Sequence, residues 1–484
     1  MKKNVFTFVI LVVSSLCFSF RTQAATPDSF ADLAEKLIPS VVNISTSQKV
    51  TAPAQQQLDL QSLFPNSPLE EFFKDFFEKG APGMPKGGKV TSLGSGFVID
   101  ESGLILTNYH VVEKAEKISV IFDDKTSVDA ELLARDKKTD IALLKIKTDK
   151  KLHPVVFGDS DAMRIGDWIL AIGNPFGLGN TVTAGIISAR GRDIQTGPYD
   201  DYLQTDASIN RGNSGGPMFN INGEVVGINT AIFSPSGGSV GIGFAIPSNI
   251  VKWVVNNLKT NGHITRGWIG VTIQTVSDDI AESIGMSKAM GALVAAVNTD
   301  GPAQKTGLKV GDIITEFNGK TIDEMRVLPR IVAETAVGTQ ADIKVMRAGK
   351  EISLKIEVGE MPEDESENQI DENQISSDDI NTDNGKKLPE LSMTVETVTP
   401  ETINKYDLPE AAQGVVISSI DDDSDAMMKG LMRGDVIVEV NQNKVNSAED
   451  IAKELETVKK ANRTSVLLLI DSKDGMRFVA VKLQ

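Results

Sequence analysis

Apolar and polar positions alternate in short runs across residues 38–247, and glycines separate the runs. Such alternation predicts strands with one buried face. The predicted strands are residues 41–46, 95–100, 104–107, 118–122, 142–147, 168–172, 181–188, 223–229 and 241–245. Strands at this spacing are typical of a β-sandwich or of closed barrels. A helical pattern over about residues 247–259 closes the region.

A second pattern repeats later in the chain, at an offset of 123 residues. The first copy contains Asp300, Ala303, Gly307, Leu308, Gly311, Asp312, Ile314, Glu316 and Asn318, which recur as Asp423, Ala426, Gly430, Leu431, Gly434, Asp435, Ile437, Glu439 and Asn441. Each copy leads from a glycine turn into an alternating strand, a helical stretch and a closing strand. The repeat therefore predicts two copies of a small α/β domain of about 95 residues.

The N-terminus has the pattern of a secretory signal. Lys2 and Lys3 precede an apolar run over residues 5–20, and small residues follow, with cleavage expected near Ala24. An uncleaved anchor is the alternative, but the run is shorter than the roughly 18 to 20 residues that span a bilayer. The only cysteine, Cys17, lies in this run. A mature chain would therefore have no disulfide, no cysteine nucleophile and no cysteine-bound metal.

Two other stretches lack the periodicity of a packed domain. Residues 361–383 are acidic and poor in large apolar residues, which predicts a flexible linker. Residues 47–93 form a long irregular loop with one predicted helix, on which five large apolar residues share a face: Leu69, Phe72, Phe73, Phe76 and Phe77. This face either packs back on its own domain or makes an intersubunit contact.

Composition and charge exclude several classes of protein. Hydrophobic residues make up 40% and charged residues 24% of the 484 positions, so neither a wholly disordered chain nor a multi-span membrane protein fits. Lysine and arginine number 49 against 66 aspartates and glutamates, a net charge of −17. That charge opposes binding to phosphate backbones, so we expect no nucleic-acid partner.

A serine motif carries the chemistry. The sequence from Gly212 to Pro217, G-N-S-G-G-P, fits the nucleophile elbow of α/β-hydrolases, but that motif needs a helix directly after the serine and a later histidine. Pro217 blocks a helix, and a hairpin is predicted next. The only later histidine, His263, lies in a polar turn. On β-barrels the other arrangement is histidine, then aspartate, then serine, in which imidazole activates the hydroxyl and a carboxylate orients the imidazole.

Three histidines make the search for the base short. His110 follows a predicted strand among apolar residues, whereas His153 lies in a basic connection that we expect to be exposed. A lone histidine in such a place is commonly a hydrogen-bonded core residue, but the serine motif favours a catalytic base. Asp140 precedes a buried strand and is the best-placed acid, while Asp136 and Asp149 are expected to be solvated. The backbone N–H groups of Gly212 and Ser214 are the expected oxyanion-hole donors.

The motifs T-N-Y-H-V-V, T-D-I-A-L-L-K, G-N-P-F-G, Q-T-D-A-S-I-N-R-G-N-S-G-G-P and G-I-G-F-A-I-P together resemble the HtrA family of Do-like periplasmic serine endoproteases. The resemblance covers the whole chain. It implies a multidomain protein, with a chymotrypsin-like double β-barrel followed by two α/β PDZ domains. It also implies that His110 is the base, Asp140 its orienting acid and Ser214 the nucleophile.

The resemblance further implies partners and organisation. It predicts a signal peptide at residues 1–24, a trypsin-like protease domain at 25–265 with the long loop 47–93, a PDZ domain at 266–359, an acidic linker at 360–387 and a second PDZ domain at 388–484. The expected partners are unfolded exported polypeptides and hydrophobic C-terminal peptides, in a homotrimer that assembles into larger cages through the loop. Periplasmic location follows, with no integral membrane segment after signal cleavage. Without loop cysteines, redox control of the loop is excluded.

Specificity and regulation give further residues. Ser208 stands six positions before the nucleophile, where trypsin-like enzymes place an acid, so we expect no preference for lysine or arginine. The expected lining of a small apolar pocket is Ile209, Ile228 and Ile232, with Asn229, Thr230 and Ala231 as the substrate-pairing strand. In the family, a segment equivalent to residues 189–202 relays PDZ signals. Arg192 is the expected relay residue, unless it and Arg190 are merely solvated.

The expected peptide cradle of the first PDZ domain is Trp268, Ile269, Gly270 and Val271. The 123-residue offset places Ser392, Met393 and Thr394 opposite its last three residues, so the second copy would lack the glycine and serve mainly in assembly. No H-E-x-x-H motif occurs, and we expect neither a metal nor another cofactor. The rival function is a holdase chaperone or PDZ scaffold with an inert protease domain, against which the intact triad argues.

Overall fold

Two six-stranded barrels form the first part of the chain in this computed structural model. The structure describes residues 29–48, 90–174, 179–210, 212–234, 238–347, 349–362, 385–461, 463–473 and 475–484. These residues divide into two units. The first comprises the described residues up to Ile194 together with Asp201–Lys252, and the second comprises Gln195–Asp200 and the described residues from Trp253 onward.

The first barrel has the strand order β1-β2-β3-β6-β5-β4 and closes between β1 and β4. Its strands are β1 (Val41–Gln48), β2 (Val90–Asp100), β3 (Leu104–Thr107), β4 (Lys117–Ile121), β5 (Ser127–Asp136) and β6 (Ile141–Ile146). Helix α1 (Ala31–Leu37) and a 3-10 turn at Ile38–Ser40 precede it, and the one-turn helix α2 (Tyr109–Val112) follows β3. Alternate residues such as Val42 and Ile44 fill the core, as a half-buried strand requires.

The second barrel has the order β11-β8-β9-β10-β13-β12, and pairing of β11 with β12 closes it. Its strands are β8 (Trp168–Gly173), β9 (Thr181–Arg192), β10 (Tyr202–Thr205), β11 (Pro217–Asn220), β12 (Glu224–Ile232) and β13 (Gly243–Pro247), with β7 (Val156–Phe157) parallel to β12. A 3-10 turn at Ser160–Ala162 and helix α3 (Ser248–Asn261) complete the region. Of the two architectures that the strand spacing allowed, the structure has closed barrels, and the double barrel that the family resemblance implied is confirmed.

The alternation did not predict every strand. Most of the residues of β5 are exposed, so its sequence carries no regular apolar spacing. Strand β10 has only four residues. The predicted hairpin after the serine motif is present, since β11 and β12 meet at Gly223, which has φ +80°.

The first α/β domain contains β14 (Gly267–Trp268), β15 (Val271–Thr275), β16 (Ala292–Val297), β17 (Ile313–Phe317), β18 (Lys320–Thr321), β19 (Gln340–Arg347), β20 (Lys350–Glu357) and β21 (Gly359–Glu360). Its helices are α4 (Asp278–Ile284), a 3-10 turn at Pro302–Thr306 and α5 (Val327–Glu334). The sheet order is β15-β16-β17-β19-β20, and β14 pairs with β21. Ser277 begins α4, because its hydroxyl accepts the Ile280 N–H.

The second α/β domain repeats this arrangement with β22 (Lys386–Leu388), β23 (Met393–Thr397), β24 (Val415–Ile420), β25 (Val436–Val440), β26 (Asn443–Lys444), β27 (Ser465–Ser472) and β28 (Gly475–Lys482). Its helices are a 3-10 turn at Pro389–Leu391, α6 (Pro400–Tyr406), α7 (Asp425–Met428) and α8 (Ala448–Lys460). The sheet order is β22-β23-β24-β25-β27-β28. Residues 386–387 were predicted to belong to the flexible linker, but the structure places them in a strand.

The offset between the copies changes within the repeat. It is 123 residues from β16 and β24 onward, but β15 begins at Val271 and β23 at Met393, one residue closer. The connection after α6 is one residue longer than the one after α4, which accounts for the change. Ser392, not Met393, is therefore the counterpart of Gly270. Ser392 has φ +53° and Gly270 has φ +76°, so the second copy makes the same bend with a serine where the first has a glycine.

Within the second unit the two α/β domains share a hydrophobic cluster. Leu293 and Ile313 of the first domain pack with Leu469 and Phe478 of the second. The Gln274 side chain donates to the Phe478 carbonyl and accepts the Phe478 N–H, both at 2.8 Å. These contacts join the domains through packed surfaces as well as through the chain between them.

Several sequence predictions concern residues outside the described ranges. These are the signal peptide with Cys17, the helix with Leu69 and the four phenylalanines, and the central part of the acidic linker. Among the helices that the structure does describe, none is long and apolar enough to cross a membrane.

Candidate active site

His110 and Asp140 form a buried pair in the first barrel. The His110 Nδ1 atom lies 2.7 Å from Asp140 Oδ2, and the His110 backbone N–H donates to Asp140 Oδ1 at 2.9 Å. The two side chains are 3% and 9% exposed. A carboxylate that holds both the backbone and the ring of a histidine fixes the orientation of the imidazole.

The local sequence explains why the two residues meet. Asp140 ends the turn between β5 and β6 with φ +54°, a conformation that aspartate tolerates better than most residues. Its carbonyl accepts the Tyr109 N–H at 3.1 Å and the Asn108 amide at 2.9 Å, which ties the turn to the segment leading into α2. Burial raises the pKa of the Tyr109 phenol. The negative charge of Glu113, whose carboxylate accepts a hydrogen bond from this phenol, raises the pKa further.

The competing acids and histidines have different environments. Asp136 was expected to be a solvated charge, but it is only 7% exposed and its carboxylate accepts the Thr139 hydroxyl, so that expectation was wrong. The lysines beside it in the sequence did not reveal the inward direction of its side chain. Asp149 and His153 are exposed, as predicted, and His263 is exposed as well.

The serine loop depends on three glycines, each for its own reason. Gly212 has φ +100°, and Gly215 has φ +83°. A Cβ on Gly215 would lie 2.2 Å from the Ser95 carbonyl oxygen, and a Cβ on Gly216 would lie 2.3 Å from the Ile172 carbonyl oxygen. Any larger residue would strain the backbone or push the loop away from the neighbouring strands.

The loop packs on the segment that leads to His110. A Cβ on Gly215 would also lie 2.4 Å from Thr107 Oγ1 and 3.1 Å from the Asn108 nitrogen. Asn108 in turn donates to Thr230 Oγ1 at 3.1 Å. Ser214 is fully buried, and its Oγ makes no hydrogen bond with any residue in the described ranges. Hydrogen bonds between a nucleophile and its base are often formed only when substrate binds.

Ser95 of β2 is a supporting residue that the sequence analysis missed. Its N–H donates to the Ser214 carbonyl at 2.8 Å. Its hydroxyl donates to the Gly212 carbonyl at 2.6 Å and accepts the Asn174 N–H at 2.8 Å. This fully buried side chain therefore anchors the backbone on both sides of Asn213. The G-S-G sequence around it was an available signal, because glycines beside a buried serine indicate close backbone packing.

The predicted pocket residues lie in the second barrel. Ile209, Ile228 and Ile232 are each fully buried. Ser208 is exposed, and its carbonyl accepts the Asn213 amide at 3.2 Å. No acidic group therefore stands at that position.

One residue of the strand predicted to pair with substrate makes backbone hydrogen bonds to the serine loop. The Asn229 N–H donates to the Gly216 carbonyl at 2.9 Å, and its carbonyl accepts the Gly215 N–H at 2.7 Å. Asn229 therefore supports the serine loop, and Thr230 and Ala231 are the next residues along β12.

The predicted regulatory segment begins in β9 and ends in β10. Arg192 Nε donates to Gln204 Oε1 at 2.8 Å. Between the strands, the ring of Tyr199 faces the Arg266 guanidinium at 5.0 Å, and its hydroxyl lies 3.4 Å from Met361 Sδ. Arg266 and Met361 flank the first α/β domain, so this loop contacts the points where the chain enters and leaves it.

The predicted cradle has the form of a tight turn. Trp268 ends β14, Ile269 is buried in the domain core and β15 begins at Val271. A Cβ on Gly270 would lie 2.7 Å from the Gly301 Cα, so this turn needs glycine. Within the described ranges, no group of three or more histidine, cysteine, aspartate or glutamate side chains could hold a metal ion.

Comparison with known proteins gives the family. A trypsin-like peptidase domain matches residues 94–228, and PDZ domains match residues 267–358 and 393–471. A probable periplasmic serine endoprotease DegP-like from Brucella suis biovar 1 (strain 1330) is 44% identical over 93% of this chain and 89% of its own length. The protein of the same description from Rhizobium meliloti (strain 1021) is 42% identical over 97% and 95%.

Solved structures agree with these relatives. The HtrA-type protease AlgW with a decapeptide has a TM-score of 0.55 and 38% identity, covering 69% of this chain and 99% of its own. The predicted double barrel with two PDZ domains is confirmed. The predicted serine peptidase activity is also confirmed, in preference to the rival function of an inert scaffold. This chain therefore belongs to the HtrA family of DegP-like periplasmic serine endoproteases and is a serine endopeptidase.

Proposed function

We propose that Ser214 is the nucleophile of this peptidase, His110 its general base and Asp140 the acid that orients His110. The observation that supports this assignment best is the buried His110–Asp140 pair, in which the carboxylate holds both the ring and the backbone N–H. The serine loop packs against residues 107–108, directly before the histidine. Hydrolysis then follows the two-step course of serine peptidases.

In the first step, Ser214 Oγ attacks the substrate carbonyl carbon and its proton passes to His110 Nε2. The Asp140 carboxylate holds the proton on Nδ1 and stabilises the imidazolium cation that results. His110 then gives its proton to the leaving amine, and an acyl-enzyme remains on Ser214. Water, deprotonated by His110, attacks this ester, and collapse of the second tetrahedral intermediate releases the carboxylic acid and restores the Ser214 hydroxyl.

The negative charge on the tetrahedral intermediate needs hydrogen-bond donors. The N–H groups of Gly212 and Ser214 are the donors we propose. The Ser95 hydroxyl supports this assignment, because it anchors the Gly212 carbonyl while its own N–H anchors the Ser214 carbonyl. Ser95 would act as a positioning residue, since its contacts are with the loop.

We further propose cleavage after small aliphatic residues such as valine, alanine and isoleucine. An uncharged Ser208 stands where an acid would attract lysine or arginine, and Ile209, Ile228 and Ile232 supply apolar surface. The substrates proposed are unfolded or misfolded exported proteins in the periplasm, reached through a cleaved signal at residues 1–24. This rests on the periplasmic relatives and on the signal pattern.

The PDZ domains would regulate and assemble the enzyme. We propose that Trp268, Ile269, Gly270 and Val271 bind hydrophobic C-terminal peptides and that trimers assemble into larger cages. The peptide-bound AlgW structures support the first part. Contacts of Tyr199 with Arg266 and Met361 support a relay from the first PDZ domain to the residue 189–202 segment, including Arg192.

Digestion of reduced, unfolded casein tests the assignment. Wild type should degrade it, and Ser214→Ala should not. Ser119→Ala on β4 should match wild type, because the Ser119 hydroxyl donates to Asp129 on the barrel surface, away from the serine loop. Ser214→Ala should still bind unfolded casein in a pull-down, since only the nucleophile is lost. Undiminished digestion by Ser214→Ala would exclude the assignment.

A further inference from the structure

The second PDZ domain has an additional strand at its ligand-binding edge. PDZ domains bind a chain end by adding it as a strand to an exposed sheet edge. In the first PDZ domain, β15 is the last strand of its sheet among the described residues. In the second, the corresponding strand β23 carries β22 on that edge, and β24 lies on its other side.

The direction and register of β22 are those of a ligand. Leu388 pairs with Met393 at the start of β23, Lys387 with Thr394 and Lys386 with Val395. The strand is antiparallel and ends next to the turn at Ser392, which is the counterpart of the Gly270 turn. Leu388 therefore takes the place of a ligand's last residue, and Lys386 that of the residue two positions before it.

Leu388 is buried like the terminal side chain of a bound peptide. It is 2% exposed and belongs to the same core cluster as Ile451, Leu455 and Val458 of helix α8. A PDZ ligand lies between this helix and the edge strand, so the burial places Leu388 at the base of the groove. The neighbouring Lys387 is exposed, as the alternation of a strand requires.

Charged contacts complete the arrangement. Lys386 Nζ lies 2.7 Å from Glu449 Oε1 near the start of α8, and Lys459 Nζ near its end lies 2.9 Å from Glu390 Oε1. Both hydrogen bonds lower the pKa of the carboxyl group that accepts them. Helix α8 thus contacts residues 386–390 near both of its ends, at Lys386 and at Glu390.

The turn that would hold a ligand's carboxylate is also engaged. The Ser392 N–H donates to the Pro389 carbonyl at 3.1 Å. A backbone carbonyl from the continuing chain therefore occupies a donor that a free chain end would otherwise use.

We infer that residues 386–388 are an internal ligand of the second PDZ domain, and that this groove, once vacated, binds chain ends with a large aliphatic last residue and a basic residue two positions before it. The first PDZ domain then binds peptides because its edge is open. The second is closed by its own chain, although its turn has the same backbone shape.

Peptide binding to the full chain tests the inference. The background is Ser214→Ala, which prevents cleavage, with Gly270→Val, which closes the first PDZ cradle. The probe is a fluorescein-labelled dodecapeptide ending in Lys-Ala-Leu with a free carboxylate. Leu388→Asp should tighten probe binding about tenfold or more, because an attached ligand competes at roughly millimolar effective concentration. Lys387→Asp, with the same new side chain at an exposed position, should not. Equal affinity of all three folded proteins would overturn the inference.

Charge reversal tests the specificity. In the Leu388→Asp variant, a further Glu449→Lys change should shift preference from the Lys-Ala-Leu end to a Glu-Ala-Leu end by about two- to fivefold, the range of an exposed ion pair. Unchanged preference would remove the assigned role of Glu449.

Cross-linking keeps the inference testable if Leu388→Asp unfolds the domain. In a Cys17→Ser chain, which has no other cysteine, Lys387→Cys with Thr394→Cys should form a disulfide on mild oxidation, since the pair is directly opposite. The control pair Lys387→Cys with Glu396→Cys, two residues out of register, should react far more slowly. Equal rates would show that the segment does not occupy the groove. None of these tests depends on peptidase activity.

Discussion

Replacing Asp140 by asparagine tests the proposed role of the buried pair most finely. The carboxylate now accepts two hydrogen bonds, from the His110 backbone N–H and from its ring. Asparagine has one acceptor oxygen and one NH2 donor at the same positions. If the oxygen keeps the backbone N–H, the NH2 group faces Nδ1 and requires it to accept. The ring proton then moves to Nε2, which can no longer take the proton of Ser214.

The magnitude follows from this change of tautomer. Loss of the base function in a triad lowers kcat by about ten-thousandfold, which corresponds to about 5.5 kcal/mol of transition-state free energy. The fold should be retained, because the new side chain has the same shape and keeps the backbone hydrogen bond. We expect KM to change little, since no substrate contact is altered.

The assay is hydrolysis of a chromogenic peptide with valine before the scissile bond, with melting temperature measured alongside. Asp136→Asn is the matched control, because Asp136 is also buried and lies in the same hairpin, but its carboxylate accepts the Thr139 hydroxyl instead. The control should keep kcat within about threefold of wild type. A folded Asp140→Asn variant with nearly wild-type kcat would refute the proposed role.

Three further predictions follow from the loop, the regulatory segment and the pocket. Ser95→Ala removes two hydrogen bonds beside the oxyanion loop and should lower kcat about ten- to hundredfold with little change in KM, with partial rescue by Ser95→Thr; a KM effect alone would argue against positioning of Gly212. Arg192→Ala should lower peptide-stimulated turnover without a change in melting temperature, because it breaks the contact with Gln204; unchanged stimulation would favour a merely solvated charge. Peptides with valine before the scissile bond should be cleaved at least about tenfold faster than those with lysine, and the reverse order would exclude the apolar pocket.

The architecture was predictable because it is encoded by repeated local signals. Alternation with glycine turns predicted a β-sandwich or closed barrels, and the repeat predicted two α/β domains. The family resemblance then favoured a double barrel. Pro217 and the Gly223 turn distinguished a barrel serine from a nucleophile elbow, because they favour a hairpin over a helix. The pairing of His110 with Asp140 was expected from residue order and from the family resemblance, and the structure brings the two side chains into contact.

What the sequence could not predict depended on side-chain direction and on small shifts of register. Flanking lysines suggested a solvated Asp136, yet its side chain points inward and bonds Thr139. One additional residue after α6 moved the register, so Ser392 rather than Met393 takes the αL turn. Residues 386–388 occupy the edge of β23, which depends on how the chain is directed before that strand. Their position at the end of the acidic linker did not indicate a strand.

Mapping the adduct of a fluorophosphonate probe tests the central claim most directly. Such probes react with a serine only when its hydroxyl is activated and an oxyanion hole receives the phosphoryl oxygen. Peptide mass mapping of the labelled full chain should place one adduct on Ser214, and His110→Ala should lose labelling while remaining folded. An adduct on a different serine, or full labelling of folded His110→Ala, would contradict the account.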